Sequence, residues 1–306
     1  MADVNIQFLI SMGIIFLGYS LKRLNILKKS DGDALARIVL NATLPALILT
    51  TITNIELDST LLLLPVIDLA YAGFILGITF FLFRKYERSQ HGLMMICSPG
   101  YNIGLFAYPF IQAIYGNDGL QYVAMFDVGN AVVIFFISYA IAVAYSPLQK
   151  NANWKYILKK VATFIPLLSY VFAMLFNVFN VEFHSNVTSF LEILAKANSP
   201  LVLLILGLFL DFQLPKETIK QMFQILGIRY FFGILIGFLL YFFLPFSLLL
   251  RTILLIAFIL PIGMAVLPYS VEFGYDEKLA GATVNLSNIL SFSLMWIIMG
   301  LFPIVG

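Results

Sequence analysis

Ile103-Gly104-Leu105-Phe106-Ala107-Tyr108-Pro109 in the first half of the chain is matched by Ile262-Gly263-Met264-Ala265-Val266-Leu267-Pro268 in the second. Each stretch has Ile-Gly followed by proline at the same offset, and each runs on to a glycine, Gly116 and Gly274. Beyond those glycines, Asp127 and Asn130 stand at the offsets of Asn285 and Asn288. A looser match joins Asn41 and Pro45 in NATLPALIL to Asn198 and Pro200 in NSPLVLLIL. The chain therefore reads as two related halves, 1–145 and 164–306, joined by a linker over 146–163.

Both quoted stretches lie inside long apolar runs. Of the 306 residues, 61% are hydrophobic and 11% charged, and the mean hydropathy is +0.97. A soluble domain has about a quarter of its residues charged, so this chain cannot cover a surface facing water. That excludes a cytosolic enzyme, a fibrous repeat and a disordered protein, and makes lipid the main solvent. Ten charge-poor stretches recur, at 4–21, 37–53, 61–83, 93–115, 120–145, 164–180, 187–210, 222–244, 248–273 and 279–303. Runs such as LLLLPVIDLAYAGFILGITFFLF do not alternate, so they predict helices rather than barrel strands. The residues before the first run carry no positive charge, which predicts a retained membrane helix rather than a cleaved signal. The single cysteine, Cys97, allows no intrachain disulfide.

The charges fall on alternate loops. Lys22, Arg23, Lys28, Lys29 and Arg37 flank the first loop. Arg84, Lys85 and Arg88 lie in the third; Lys150, Lys155, Lys159 and Lys160 in the fifth; Lys216 and Lys220 in the seventh; Lys278 in the ninth. The even loops, near Glu56, Asp118 and Glu182, hold almost none, with Lys196 and Arg251 the exceptions. Cytoplasmic loops carry the Lys and Arg excess, which predicts cytoplasmic odd loops, both termini outside and a multi-pass protein of the plasma (inner) membrane. Trp154 and Tyr156 among the lysines of the linker suggest an interfacial amphipathic segment. Because five spans is an odd number, the two halves enter the membrane from opposite sides. Inverted repeats of this kind are a signature of secondary transporters.

Proline within a helix removes a backbone hydrogen bond, and in lipid the freed groups need a partner. Pro109 and Pro268, each with a glycine five residues earlier, predict two broken spans that cross near the bilayer midplane. Pro99-Gly100 and Pro261 add further breaks in the same spans. Each break is expected to leave a half-helix starting at its proline. Helix N-termini carry partial positive charge and free N–H groups, so two of them could hold a carboxylate without a buried cation. The expected substrate ligands are Asn102, Gly104, Pro109, Asn130, Gly263, Pro268, Asn285 and Asn288. Asp68 and Asp127 are acids embedded in spans, functional candidates by default, and are expected to couple transport to a proton or another ion. Arg229, near the predicted start of the eighth run, reads as an interfacial anchor, and Glu272 as hydrated.

These residues resemble the auxin efflux carrier family, which includes the PIN-type carriers of plants and bacterial transporters of malonate and related acids. The likeness rests on NATLPALIL, on NIGLFAYPFIQAIYGNDG leading to FDVGN, and on PIGMAVLPYSVEFG leading to NLSNILS, and it covers nearly the whole chain. It implies an all-α membrane fold of ten helices in two inverted five-helix repeats, with helices 4 and 9 broken at a crossover. That fold is related to those of sodium/proton antiporters and bile-acid symporters. The resemblance further implies a scaffold of spans 1, 2, 6 and 7, a mobile domain of spans 3–5 and 8–10, elevator-like movement of substrate and a homodimer. Asn41, Pro45 and Pro200 would be scaffold residues lining the cavity or the dimer contact, and Asn102, Pro109 and Pro268 match family crossover positions. Where the family has an asparagine in the ninth-span break, this chain has Met264 and Ala265.

The reading that follows is a secondary transporter of small organic anions, auxin-like or dicarboxylate. A sodium- or proton-coupled antiporter or symporter of the related fold is the alternative. No cofactor, metal or nucleic-acid partner is expected. The sequence contains no His-Glu-x-x-His, no paired-aspartate protease motif and no nucleotide-binding loop, which argues against an intramembrane enzyme and against direct use of ATP. The inverted repeat argues against a receptor or channel.

Overall fold

A computed structural model describes residues 2–148, 155, 158, 162–210 and 218–302. Most of the 146–163 linker, with its proposed interfacial residues Trp154 and Tyr156, lies outside the described residues, as does Lys216. The described fold is helical throughout and contains no strand. Helix α1 spans Ala2–Arg23. Helix α2 begins at Lys29–Ile38, widens through a π-turn at Val39–Thr43 and continues as Leu44–Ile52. Helices α3 (Ser59–Phe83) and α4 (Arg88–Ile96) follow.

A continuous helical run, Ile103–Tyr145, comes next and has 43 residues. As one rod it would measure roughly 65 Å, about twice the hydrocarbon thickness. Gly116 divides it into α5 (103–115) and α6 (117–145), with φ 62° and ψ −155°, a region open essentially to glycine alone. The chain folds back there. Tyr108 and Asp127, 19 positions apart, meet in a hydrogen bond of 2.9 Å, which a straight helix could not allow. The remaining helices are α7 (Ile165–Val178), α8 (Ser185–Phe209), α9 (Ile219–Phe243), α10 (Leu248–Ala257), α11 (Val266–Phe273) and α12 (Glu277–Leu301). Gly274 ends α11 in the left-handed region at φ 74°.

Among the described residues, six runs are long and apolar enough to cross a membrane: Lys29–Ile52, Ser59–Phe83, Ile103–Tyr145, Ser185–Phe209, Ile219–Phe243 and Glu277–Leu301. Large apolar side chains also face outward, among them Phe16 (68% exposed), Phe81 (64%) and Phe243 (79%). Water would not tolerate so much exposed apolar surface; lipid solvates it.

Two of the π-turns have a visible cause. A proline ring clashes with the carbonyl four residues earlier. For Pro45 and Pro109 those carbonyls belong to Asn41 and Leu105, each inside a π-turn, Val39–Thr43 and Ile103–Ala107. The wider turn relieves the clash without ending the helix. Helix α2 also starts earlier than the apolar run at 37–53 implies. Asp31 Oδ2 accepts the Lys28 N–H at 2.7 Å, an N-terminal cap that extends the helix through residues composition alone places in a loop.

The chain forms two compact units, Met1–Leu62 with Ile103–Val128 and Ala162–Leu210, and Leu63–Asn102 with Gly129–Val161 and Asp211–Gly306. In the first, α1 and α8 pack through glycines: Gly18 lies against the Leu204 backbone and Gly207 against the backbone of Ile15 and Tyr19. Such small-residue contacts let membrane helices approach closely. The Thr43 hydroxyl donates to Asn198 Oδ1 at 2.9 Å. Asn177 Nδ2 donates to the carbonyls of Ile52 (2.8 Å) and Ile55 (2.7 Å), supplying partners that the end of α2 lacks. In the second unit, Phe83, Leu93, Met94, Val143, Leu226 and Phe273 belong to one buried cluster. Gly233 of α9 abuts the Phe258 carbonyl at the end of α10.

Candidate functional site

The second unit contains two paired stretches of non-helical backbone. Helix α4 ends at Cys97 and α10 at Phe258. Pro99 and Pro261 follow, and a residue before proline is biased away from helical geometry. The two extended segments pair in antiparallel fashion around Tyr101 and Ile262. The Asn102 N–H donates to the Pro261 carbonyl (2.9 Å) and the Gly263 N–H to the Gly100 carbonyl (3.2 Å). Gly100 and Gly263 both pack on Ile134, whose side chain an added Cβ would meet at 2.7 and 2.8 Å.

The break therefore lies upstream of the expected position. Pro109 and Pro268 do not start the half-helices. Helix α5 starts at Ile103 and α11 at Val266, because Pro99-Gly100 and Pro261 disrupt the backbone first and the later prolines are accommodated in or after the first turn. Pro109 is buried and Pro268 exposed.

Two side chains complete the backbone pairing. Asn130 Oδ1 accepts the Tyr101 N–H at 2.8 Å, and Asn130 Nδ2 donates to the Tyr101 carbonyl at 3.0 Å. One amide thus acts as a neighbouring strand for a single residue. On the other segment, Ser287 Oγ accepts the Ile262 N–H at 3.1 Å. Ser287 neighbours Asn288, which is 7% exposed, with an Oδ1 that meets no hydrogen-bond donor. Asn285, half-buried, donates to the Gly281 carbonyl at 3.1 Å.

Arg229 is the main correction to the sequence reading. It is 1% exposed and is not an interfacial anchor. Its guanidinium donates to the carbonyls of Ser98 (2.5 Å), Leu260 (3.0 Å) and Pro261 (3.1 Å) and lies 4.3 Å from the centre of the Tyr101 ring. Helix α9 starts at Ile219, so Arg229 stands nearly three turns inside it. Asp68 is fully buried. The Tyr71 and Tyr101 rings stack with centres 6.2 Å apart. Glu272 is half-buried and accepts from the Tyr139 hydroxyl at 3.2 Å.

Beside the crossover is a small recess. Its lining includes Gly100, Gly263, Ile134, Ser138, Val266 and Tyr269. It thus opens on the first turn of α11, the positive end of that helix. The Ser138 hydroxyl, 3% exposed, has no hydrogen-bond partner.

The remaining expected residues belong to the first unit. The Asp127 carboxylate, 5% exposed, shares Oδ2 with two tyrosines. Tyr108 donates to it at 2.9 Å, Tyr170 donates to the same oxygen, and the two hydroxyls lie 2.9 Å apart. Gly104 packs on Leu44, where an added Cβ would lie 2.8 Å from Cδ2. Asn41 is exposed and donates to the Arg37 carbonyl at 2.7 Å. Pro45 is buried and Pro200 exposed.

A family model described as membrane transport protein matches residues 5–299. The chain belongs to the membrane transport protein family. The transporter is 25% identical over 283 residues to an uncharacterized transporter of Methanothermobacter thermautotrophicus, covering 91% of each chain. It is 27% identical over 214 residues to an uncharacterized transporter of Methanocaldococcus jannaschii, covering 66% of this chain and 68% of that one.

Tyr101, Tyr108, Tyr170, Arg229 and Ser287 were not among the residues singled out for the site. Arg229 had a signal, since an ionisable residue within an apolar run is a functional candidate. The tyrosines had none, because a tyrosine in a membrane span is ordinarily read as packing or an interface anchor.

Proposed function

We propose that this protein is a secondary active transporter that moves small organic anions by elevator-like alternating access, with substrate held at the crossover. The observation that carries this reading is the paired extended backbone at Tyr101 and Ile262, placed in a membrane protein of a transporter family. Non-helical backbone at membrane depth persists only where it is buried in protein or lines a cavity, and transporters use such discontinuous helices to bind substrate. The N-terminal turn of α11 supplies positive potential at the recess beside Gly100 and Gly263, and Ser138 supplies an unused polar group. In this reading the ten spans form two inverted repeats. Spans 1, 2, 6 and 7 are the scaffold of a homodimer in the plasma membrane, both termini are outside, and spans 3–5 and 8–10 move.

Proton coupling is the form of this function that Asp127 favours. Asp127 is a buried carboxyl whose Oδ2 accepts from the Tyr108 and Tyr170 hydroxyls, so a proton taken up or released there would rearrange the donors around it. Asp127→Asn keeps donor and acceptor capacity while removing the titration. It is expected to fold normally and to abolish the response of uptake to an imposed pH gradient; a mutant that still follows the gradient would rule Asp127 out as the proton carrier.

Thermal unfolding of the purified protein across a set of small carboxylates tests the substrate class, with stabilisation expected for the acid carried. Uptake into proteoliposomes then tests transport. Asn102→Ala is expected to reduce uptake while the protein still inserts. Undiminished uptake by this mutant would remove the crossover as the site. Exchange of sodium for protons with no acid bound or moved would favour the ion-antiporter reading instead.

A further inference from the structure

We propose that Arg229 occupies the cation position of the crossover, so that the transporter holds a tethered guanidinium where a bound sodium ion would otherwise sit. Three backbone carbonyls converge on this one side chain: Ser98 just beyond α4, and Leu260 and Pro261 just beyond α10. These carbonyls lie just beyond the C-terminal, negative ends of two interrupted helices, and that of Pro261 also accepts the Asn102 N–H. Unwound carbonyls and half-helix C-termini are the groups with which discontinuous-helix transporters coordinate coupling cations, and hard cations prefer such oxygen ligands. Here the donors of a guanidinium take those oxygens. The Tyr101 ring, 4.3 Å from the guanidinium, closes one face.

Burial at 1% exposure and five N–H donors in a rigid fork make the residue suited to this place. A Lys or Arg carrying only a positive charge at the membrane surface would not need its head group directed at three carbonyls. The consequence is a division of labour: sodium has no seat at the crossover, and any ion coupling must use another group.

This inference rests on the crossover being the working centre of the transporter, but its test needs neither substrate nor transport. The purified full-length protein is unfolded thermally in sodium chloride and in choline chloride at equal ionic strength. Wild-type and Arg229→Lys are each expected to unfold at the same temperature in both salts, because an ammonium also fills the position. Arg229→Ala is expected to gain a sodium-specific rise in Tm of at least about 2 °C, and to be stabilised likewise by added methylguanidinium. A sodium-specific shift in the wild-type protein overturns the proposal. So does an Arg229→Ala protein that responds to neither cation, or one that fails to fold in either, because the guanidinium would then be an architectural element that no free cation replaces. A separate failure of carboxylates to bind the wild-type protein would count against the organic-anion reading and leave these results as they stand.

Discussion

Replacing Gly207 with leucine is expected to destabilise the protein by about 3 kcal/mol or more, the range in which overpacking becomes severe. The position leaves no route for relaxation. A Cβ there would overlap the Ile15 carbonyl and lie 2.7 Å from the Tyr19 nitrogen and 2.9 Å from Gly18 Cα. All three are backbone atoms of α1, so the two helices would have to separate along their length. Lost dispersion contacts and lost close approach would both count, because lipid offers no hydrophobic drive to push membrane helices together. Thermal unfolding in detergent measures the effect. Gly13 on the same helix is the control: a Cβ there meets nothing within 4 Å. Gly13→Ala should be neutral or stabilising by up to about 1 kcal/mol, the difference in helix propensity. Equal stability of the Gly207 and Gly13 mutants would show that α1 and α8 do not pack as described.

Asn130→Leu is the second large effect, and it concerns transport. The substitution preserves approximate size but strips the Tyr101 N–H and carbonyl of their partners in a region closed to water. Each orphaned buried group costs about 1–3 kcal/mol, enough to change the conformation of the extended segment. Uptake into proteoliposomes is expected to fall at least about tenfold. Ser287→Ala removes only the acceptor for the Ile262 N–H and should have a smaller effect. Uptake by Asn130→Leu at the wild-type rate would mean that the geometry of Tyr101 is irrelevant to transport.

Most of the helices were legible in one dimension. Apolar runs ending at charged or Pro/Gly-rich residues predict helices within a few residues of where α3, α8 and α12 stand, because in lipid an apolar stretch must satisfy its backbone internally. The reversal at Gly116 was legible as the gap between the apolar runs 93–115 and 120–145, although not its backbone conformation at φ 62°. The positions of the breaks were less clear. A proline shows that a hydrogen bond is missing but not how the chain absorbs the loss. At Pro109 a π-turn absorbs it, while at Pro99 and Pro261 the helix ends.

Composition and the order of residues were enough to determine that the chain lives in lipid, that it is helical and that it repeats a broken-span motif. These properties follow from local rules: transfer free energy, hydrogen-bond self-sufficiency and the stereochemistry of proline and glycine. Partnership was decided by the tertiary structure. Asn130 bonds Tyr101 across 29 positions, Arg229 reaches Ser98 across 131, and Tyr170 meets Asp127 across 43. Charge and polarity can be read from a residue type, but the group that answers them depends on which helices lie side by side, and that is a property of packing rather than of any single segment.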